Sequence, residues 1–140
     1  MSLGKARDPL RLVALLTGDA AAGAALFATL GENAETATEA LANSVWRSTL
    51  NTGLQGLEIN LMACSPLLPA DIAERYRLRA IALMTDEQLT RVVLLQILGE
   101  TEAQARMELK ESCWSQAIAD KLLERKRLAS ELGVALEINH

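Results

Sequence analysis

Residues 101–133 read TEAQARMELKESCWSQAIADKLLERKRLASELG, and this stretch decides the fold class. Thr101 and Gln104 have the spacing of a capping box, in which each side chain satisfies an otherwise free amide at a helix start. Behind them Met107, Trp114, Ile118, Leu122, Ala129 and Leu132 recur on one helical face, while Glu108, Glu111, Asp120, Glu124 and Lys126 fall mostly elsewhere. Gly133 supplies the stop, with Val134 placed to fold back on the last turn. The pattern predicts one long helix over about 102–132, roughly 45 Å at 1.5 Å per residue. That exceeds the width of a compact domain of this size, so part of its apolar face requires a partner, a second copy being the first candidate.

Upstream, Thr85-Asp86-Glu87-Gln88 reads as another capping box, opening a helix to Leu98 that Gly99 closes. A further helix is expected from about Ala70 to Met84, with Asp71 and Glu74 early and Arg75, Arg77 and Arg79 late, the order the helix dipole favours. Ser65-Pro66-Leu67-Leu68-Pro69 breaks the chain before it. Over 34–64, Trp46, Leu50, Leu54, Leu57 and Leu61 keep helical phase, which predicts one helix through Gly53 and Gly56, a break near Thr52 being the alternative. Asp8 and Pro9 are expected to open a first helix that Gly18 ends, and Asp19 an Ala-rich second that Gly31 ends. This pair echoes itself in its Asp start and Gly stop, but no third copy follows at that short period. Gly23 among Ala20, Ala21, Ala22, Ala24 and Ala25 makes a smooth face suited to close helix approach, most simply within the domain. Residues 1–7 read as a lead-in and 8–140 as a single domain. The expected fold is an all-α, single-domain bundle of five to six helices.

Composition agrees. Half of the 140 residues are hydrophobic, yet only Phe27, Trp46, Tyr76 and Trp114 are aromatic, so the core is built from aliphatic side chains that favour helix packing. A net charge of -4 argues against binding nucleic acid or an anionic membrane. Lys5, Arg7 and Arg11 precede the apolar run Leu12 to Leu16, but Asp8 and Asp19 interrupt any secretory pattern, and no stretch reaches the roughly 20 apolar residues of a membrane span. A cytoplasmic location is expected, with Cys64 and Cys113 as free, buried thiols.

Catalytic signatures are lacking. The single histidine, His140, is the last residue, so no nucleophile has an imidazole base fixed in the fold. Cys64 stands at an expected helix C-terminus, where the dipole disfavours a thiolate. Glu35 and Glu39 lack the histidine pattern of carboxylate metal helices, and the glycines are scattered rather than gathered into a phosphate loop. No catalytic residue, metal ligand or cofactor is therefore expected. Lys121, Arg125, Lys126 and Arg127 form a basic patch that makes a nucleic-acid-binding regulatory domain the alternative, although Asp120 and Glu124 neutralise its surroundings. Trp46, Met62, Met84, Met107 and Trp114 supply the inventory for a small-ligand pocket, a use less common for such residues than core packing.

A further pattern runs Asn60-Leu61, Pro66, then Arg77-Leu78-Arg79-Ala80-Ile81-Ala82-Leu83, Leu89-Thr90-Arg91 and Leu94-Leu95-Gln96-Ile97-Leu98-Gly99. It covers under a third of the chain and resembles small helical cytosolic accessory proteins of type III secretion systems, of the kind that join the sorting platform. The resemblance implies a role in protein assembly. A type III secretion accessory protein is thus one alternative; the expected function is a non-enzymatic protein-interaction domain, a helical adaptor or chaperone-like subunit that binds another protein of unknown identity through Met107, Trp114, Ile118, Leu122, Ala129 and Leu132 and also self-associates.

Overall fold

The computed structural model describes residues 7–63, 71–121, 123 and 124, and those residues are helical or in turns, with no strand among them. Seven helices run α1 (Arg7–Leu16), α2 (Ala20–Leu30), α3 (Ala34–Ala42), α4 (Arg47–Met62), α5 (Ile72–Met84), α6 (Gln88–Leu98) and α7 (Glu102–Leu109), and residues 115–121 begin another. The all-α class holds. The count of five to six helices does not, because two expected long helices are each broken.

The helix expected over 102–132 opens as anticipated: Thr101 Oγ accepts from the Gln104 amide at 3.1 Å, and Gln104 Oε1 accepts from the Thr101 amide at 2.9 Å. It ends at Leu109. The Ser112 hydroxyl donates to the Leu109 carbonyl at 2.8 Å and accepts from the Trp114 amide at 3.2 Å, so a side chain takes over the bonds that would have carried the helix forward. The helix expected over 34–64 breaks in the same way at Ser44, which donates to the Leu41 carbonyl at 3.0 Å and accepts from the Trp46 amide at 3.1 Å. It is interrupted again at Gly53, whose φ of 79° and ψ of -168° are open only to glycine. Smaller corrections follow at the other starts. Arg7 already belongs to α1, Pro9 is its third residue, and Asp8 pairs with Arg11 at 2.5 Å instead of capping. Glu87 caps α6 by position, but without a side-chain capping bond.

The recurrence of one serine turn is part of a larger regularity. Arg7 and Arg11 grip Glu32, with Arg7 Nη2 and Arg11 Nη2 each 2.6 Å from its carboxylate and Arg11 Nε at 2.7 Å. Arg75 and Arg79 grip Glu100 identically, at 2.5 Å from both Nη2 atoms and 2.7 Å from Arg79 Nε. Each member of one set lies 68 positions from its counterpart, as do Gly31 and Gly99, Ser44 and Ser112, and Trp46 and Trp114. Gly31 (φ 69°) and Gly99 (φ 70°) both end their helices in the left-handed conformation, and capping boxes at Asn33 and Thr101 both start the next one. Aligned at this offset, 7–46 and 75–114 share 14 of 40 residues, among them the clamp, the turn and five leucines. The chain is an internal duplication: α1 to α4 form one half, and α5, α6, α7 and the 115–121 helix the other.

The halves meet about a pseudo-twofold axis. Thr17 Oγ and the Gly18 amide donate to Glu87 at 2.9 and 2.8 Å, while Thr85 Oγ and the Asp86 amide donate to Asp19 at 2.7 and 3.2 Å. Each acidic residue thus closes the α–α loop of the opposite half. Packing follows the same exchange, since α1 lies against α6 as α5 lies against α2. One buried cluster joins Leu10, Leu26, Leu41, Leu57, Leu78, Leu94 and Ile97 across the halves. A smaller one gathers Ala80, Leu83, Ala105, Leu109 and Ile118 in the second half.

Candidate functional site

In the first half the fourth helix covers the other two layers. Beyond Gly53, α4 lies across α1 and α6 and buries Leu54, Leu57 and Leu61 in the same cluster as Leu12, Val13, Val93 and Ile97. Asn60 Nδ2 donates to Thr49 Oγ1 at 2.7 Å, tying the part of α4 after the glycine to the part before it. The pseudo-twofold axis carries this seat onto the space between α5 and α2.

That space is a groove of about 740 Å³ among the described residues. Its floor and one wall are Ala21, Ala22, Ala25 and Ala28 of α2, with Ala80, Ile81 and Met84 of α5 opposite. Trp114, Ala117 and Lys121 border it from the 115–121 helix and the turn before it. Ile81 and Met84 are matched by Val13 and Leu16, whereas the counterparts of the five alanines of α2 and α5 are larger, Leu89, Thr90, Val93 and Gln96 matching the four of α2 and Leu12 matching Ala80. Trimming them to methyl groups widens the same seat. Gly23 lies on the other side of α2, where an added Cβ would stand 3.2 Å from the Ala14 carbonyl, so the close approach expected at the Ala-rich helix is to α1.

The rim is charged. Lys121 Nζ lies 3.1 Å from Asp86 Oδ2 and 3.9 Å from Glu124 Oε2, and Arg77 is exposed on the α5 side. Burial pushes the Asp19 carboxyl up, but the Thr85 hydroxyl and the amides of Ala22, Asp86 and Ala21 outweigh it and hold the group below its ordinary range. Glu87 is likewise held low, its burial outweighed by Thr90, the Gly18 amide and Thr17. Both are therefore ionised acceptors that fasten the loops, not proton donors poised for catalysis.

Of the expected partner-binding residues, the three described ones, Met107, Trp114 and Ile118, do not share one exposed face. Met107 is 77% exposed on α7, Trp114 borders the groove, and Ile118 is buried at 5% in the smaller core cluster. Leu122, Ala129 and Leu132 lie outside the described residues. Of the basic patch, Lys121 is bonded to Asp86, and Arg125, Lys126 and Arg127 lie outside the described residues. The aromatic and methionine inventory is dispersed: Met84 and Trp114 line the groove, Trp46 packs on the larger cluster, and Met62 and Met107 face solvent. Cys113 is exposed in the Ser112 turn, correcting its expected burial in a helix, whereas Cys64 and His140 lie outside the described residues. Among the described residues no cluster of three metal-ligating side chains occurs, and no helix is long and apolar enough to cross a membrane. Sequence reasoning missed the groove as a site, although the small face of α2 was its visible half. Comparison with family models, curated proteins and solved structures returned no match for this chain.

Proposed function

We propose that this chain is a non-enzymatic protein-interaction domain, an adaptor or chaperone-like subunit whose groove between α2 and α5 receives an apolar helix of another protein. One observation carries the reading: the seat that α4 fills in the first half recurs in the second as a 740 Å³ groove with alanine walls. An apolar concavity of this size between helices is a common form of binding site, and its charged rim provides orientation. The nucleic-acid alternative is weaker, because Lys121 is committed to Asp86 and Glu124 and the chain carries a net charge of -4.

Site-specific photo-crosslinking in the native host tests this. A crosslinking residue in place of Ala28, in the groove, is expected to yield a defined protein adduct, and one in place of Glu39, exposed on α3, to yield none. Equal adducts from both positions, or adducts from Glu39 alone, refute the groove as the interaction site.

A further inference from the structure

Resting on that reading, we infer the chemistry of the guest: a helix of a partner protein that presents leucines at i, i+3 and i+7, flanked by an acidic residue. The first half contains the template. Leu54, Leu57 and Leu61 have this spacing and are the α4 side chains buried in the equivalent seat. The reciprocal loop bonds show that the two seats are related by the pseudo-twofold axis and not merely similar in composition.

Three differences between the seats define the guest further. The walls are smaller at Ala21, Ala22, Ala25, Ala28 and Ala80, so a guest ridge of leucine or larger residues enters without displacing them. The chain's own sequence does not repeat the ladder, since the positions matching Leu54, Leu57 and Leu61 are Leu122, Arg125 and Ala129. Gly53, whose conformation redirects α4 over its seat, is matched by Lys121, which is helical and tied to Asp86. No leucine ladder of this spacing occurs in residues 115–140, and the guest is accordingly a helix of another protein. Arg77, exposed where the first half has Pro9, makes no ion pair among the described residues and lines the groove, which favours a carboxylate on the flank of the guest.

The test is titration of the full chain, labelled with nitrogen-15, with a hydrocarbon-stapled helical peptide carrying leucines at i, i+3 and i+7 and one glutamate. The expected result is saturable binding, with a dissociation constant on the order of 10–100 μM once association costs are deducted. Amide shifts are expected on Ala21 to Thr29, Ala80 to Met84 and the Trp114 indole. Replacing one ladder leucine by alanine is expected to weaken binding about tenfold, as is filling the wall with Ala25→Leu and Ala28→Leu together. Arg77→Glu is expected to weaken it less, and a peptide with lysine in place of the glutamate to recover it.

Binding that ignores the leucine changes, or shifts centred on Val93 and Ile97 through displacement of α4, overturn the inference. So do concentration-dependent groove shifts in the peptide-free chain, which assign the seat to a second copy, and nuclear Overhauser contacts from residues 125–140, which assign it to the chain's own tail. A failed titration beside a positive Ala28 crosslink removes the leucine ladder and leaves the groove as an interaction site. Failure of both removes the groove.

Discussion

Replacing Glu32 by glutamine keeps the size of the side chain and removes the charge that Arg7 and Arg11 share. Hydrogen bonds from Arg11, working against burial and joined by Arg7, hold this carboxyl at about 2, compared with 4.5 for an unperturbed glutamate. Each tenfold change in proton affinity corresponds to about 1.4 kcal/mol, so this depression contributes about 3 kcal/mol of folding free energy at neutral pH. The Glu32 side chain is 12% exposed and that of Arg7 24%, so solvent screening reduces the expected loss to about 2 kcal/mol. With a urea slope of about 1–3 kcal/mol/M, the unfolding midpoint at pH 7 should fall by about 1 M. A carboxyl whose pKa is lowered on folding contributes its full stability above the unfolded value of 4.5 and loses it as the pH falls towards 2. The gap between the wild type and Glu32→Gln should therefore close on acidification, with less than about half remaining at pH 3. Urea unfolding at pH 7, 5, 4 and 3, followed by far-ultraviolet circular dichroism, measures this. A gap that stays constant across the series would show that the loss is steric, and the clamp would then not be the electrostatic element described.

Two other changes probe the architecture. Gly53→Ala should destabilise the chain by about 1–3 kcal/mol, because φ 79° with ψ -168° excludes a side chain even though nothing lies within 4 Å of the added Cβ; an unchanged thermal midpoint would argue against the kink that turns α4 over its seat. Ser44→Ala and Ser112→Ala should each cost about 1 kcal/mol through the lost turn bonds, and by similar amounts, as duplication requires; chemical denaturation of the two variants would contradict the equivalence of the turns if only one of them lost stability.

The starts and stops with a local chemical cause were legible from the sequence. Asp19, Thr101, Gly31 and Gly99 act through their own backbone or the next turn, and each stands where its pattern placed it. The breaks at Ser44 and Ser112 were not legible, because serine interrupts a helix only when its hydroxyl is turned back onto the chain, and no apolar period records that. Apolar phase misled in both places. Leu50 to Leu61 keep step across Gly53, and Met107 to Ile118 keep step across the Ser112 turn, although the helix is kinked at the first and interrupted over residues 110–114 at the second. The duplication was written in Leu30-Gly31-Glu32 and Leu98-Gly99-Glu100, but the offset of 68 residues is far longer than the short Asp-to-Gly echo at the N-terminus. Its decisive members, the arginines, are polar residues whose partners lie 21 and 25 positions away, beyond the reach of any local pattern.

Where the copies agree and where they differ separates scaffold from site. The clamps, caps and serine turns are retained in both halves, as are the leucines at 10 and 78, 26 and 94, 30 and 98, and 41 and 109. Those residues hold three helices together in each half. Among the differences, five alanines on α2 and α5, together with Lys121, gather around one seat. Core positions that only need to pack tolerate loss of volume poorly, since each large-to-small change leaves a cavity costing about 2–5 kcal/mol unless something fills it. Alanine at five matched wall positions, beside the change from Gly53 to Lys121, is therefore a coordinated alteration of one surface. The fold thus closes its first seat with Leu54, Leu57 and Leu61 of α4 and lines its second with the methyl groups of five alanines.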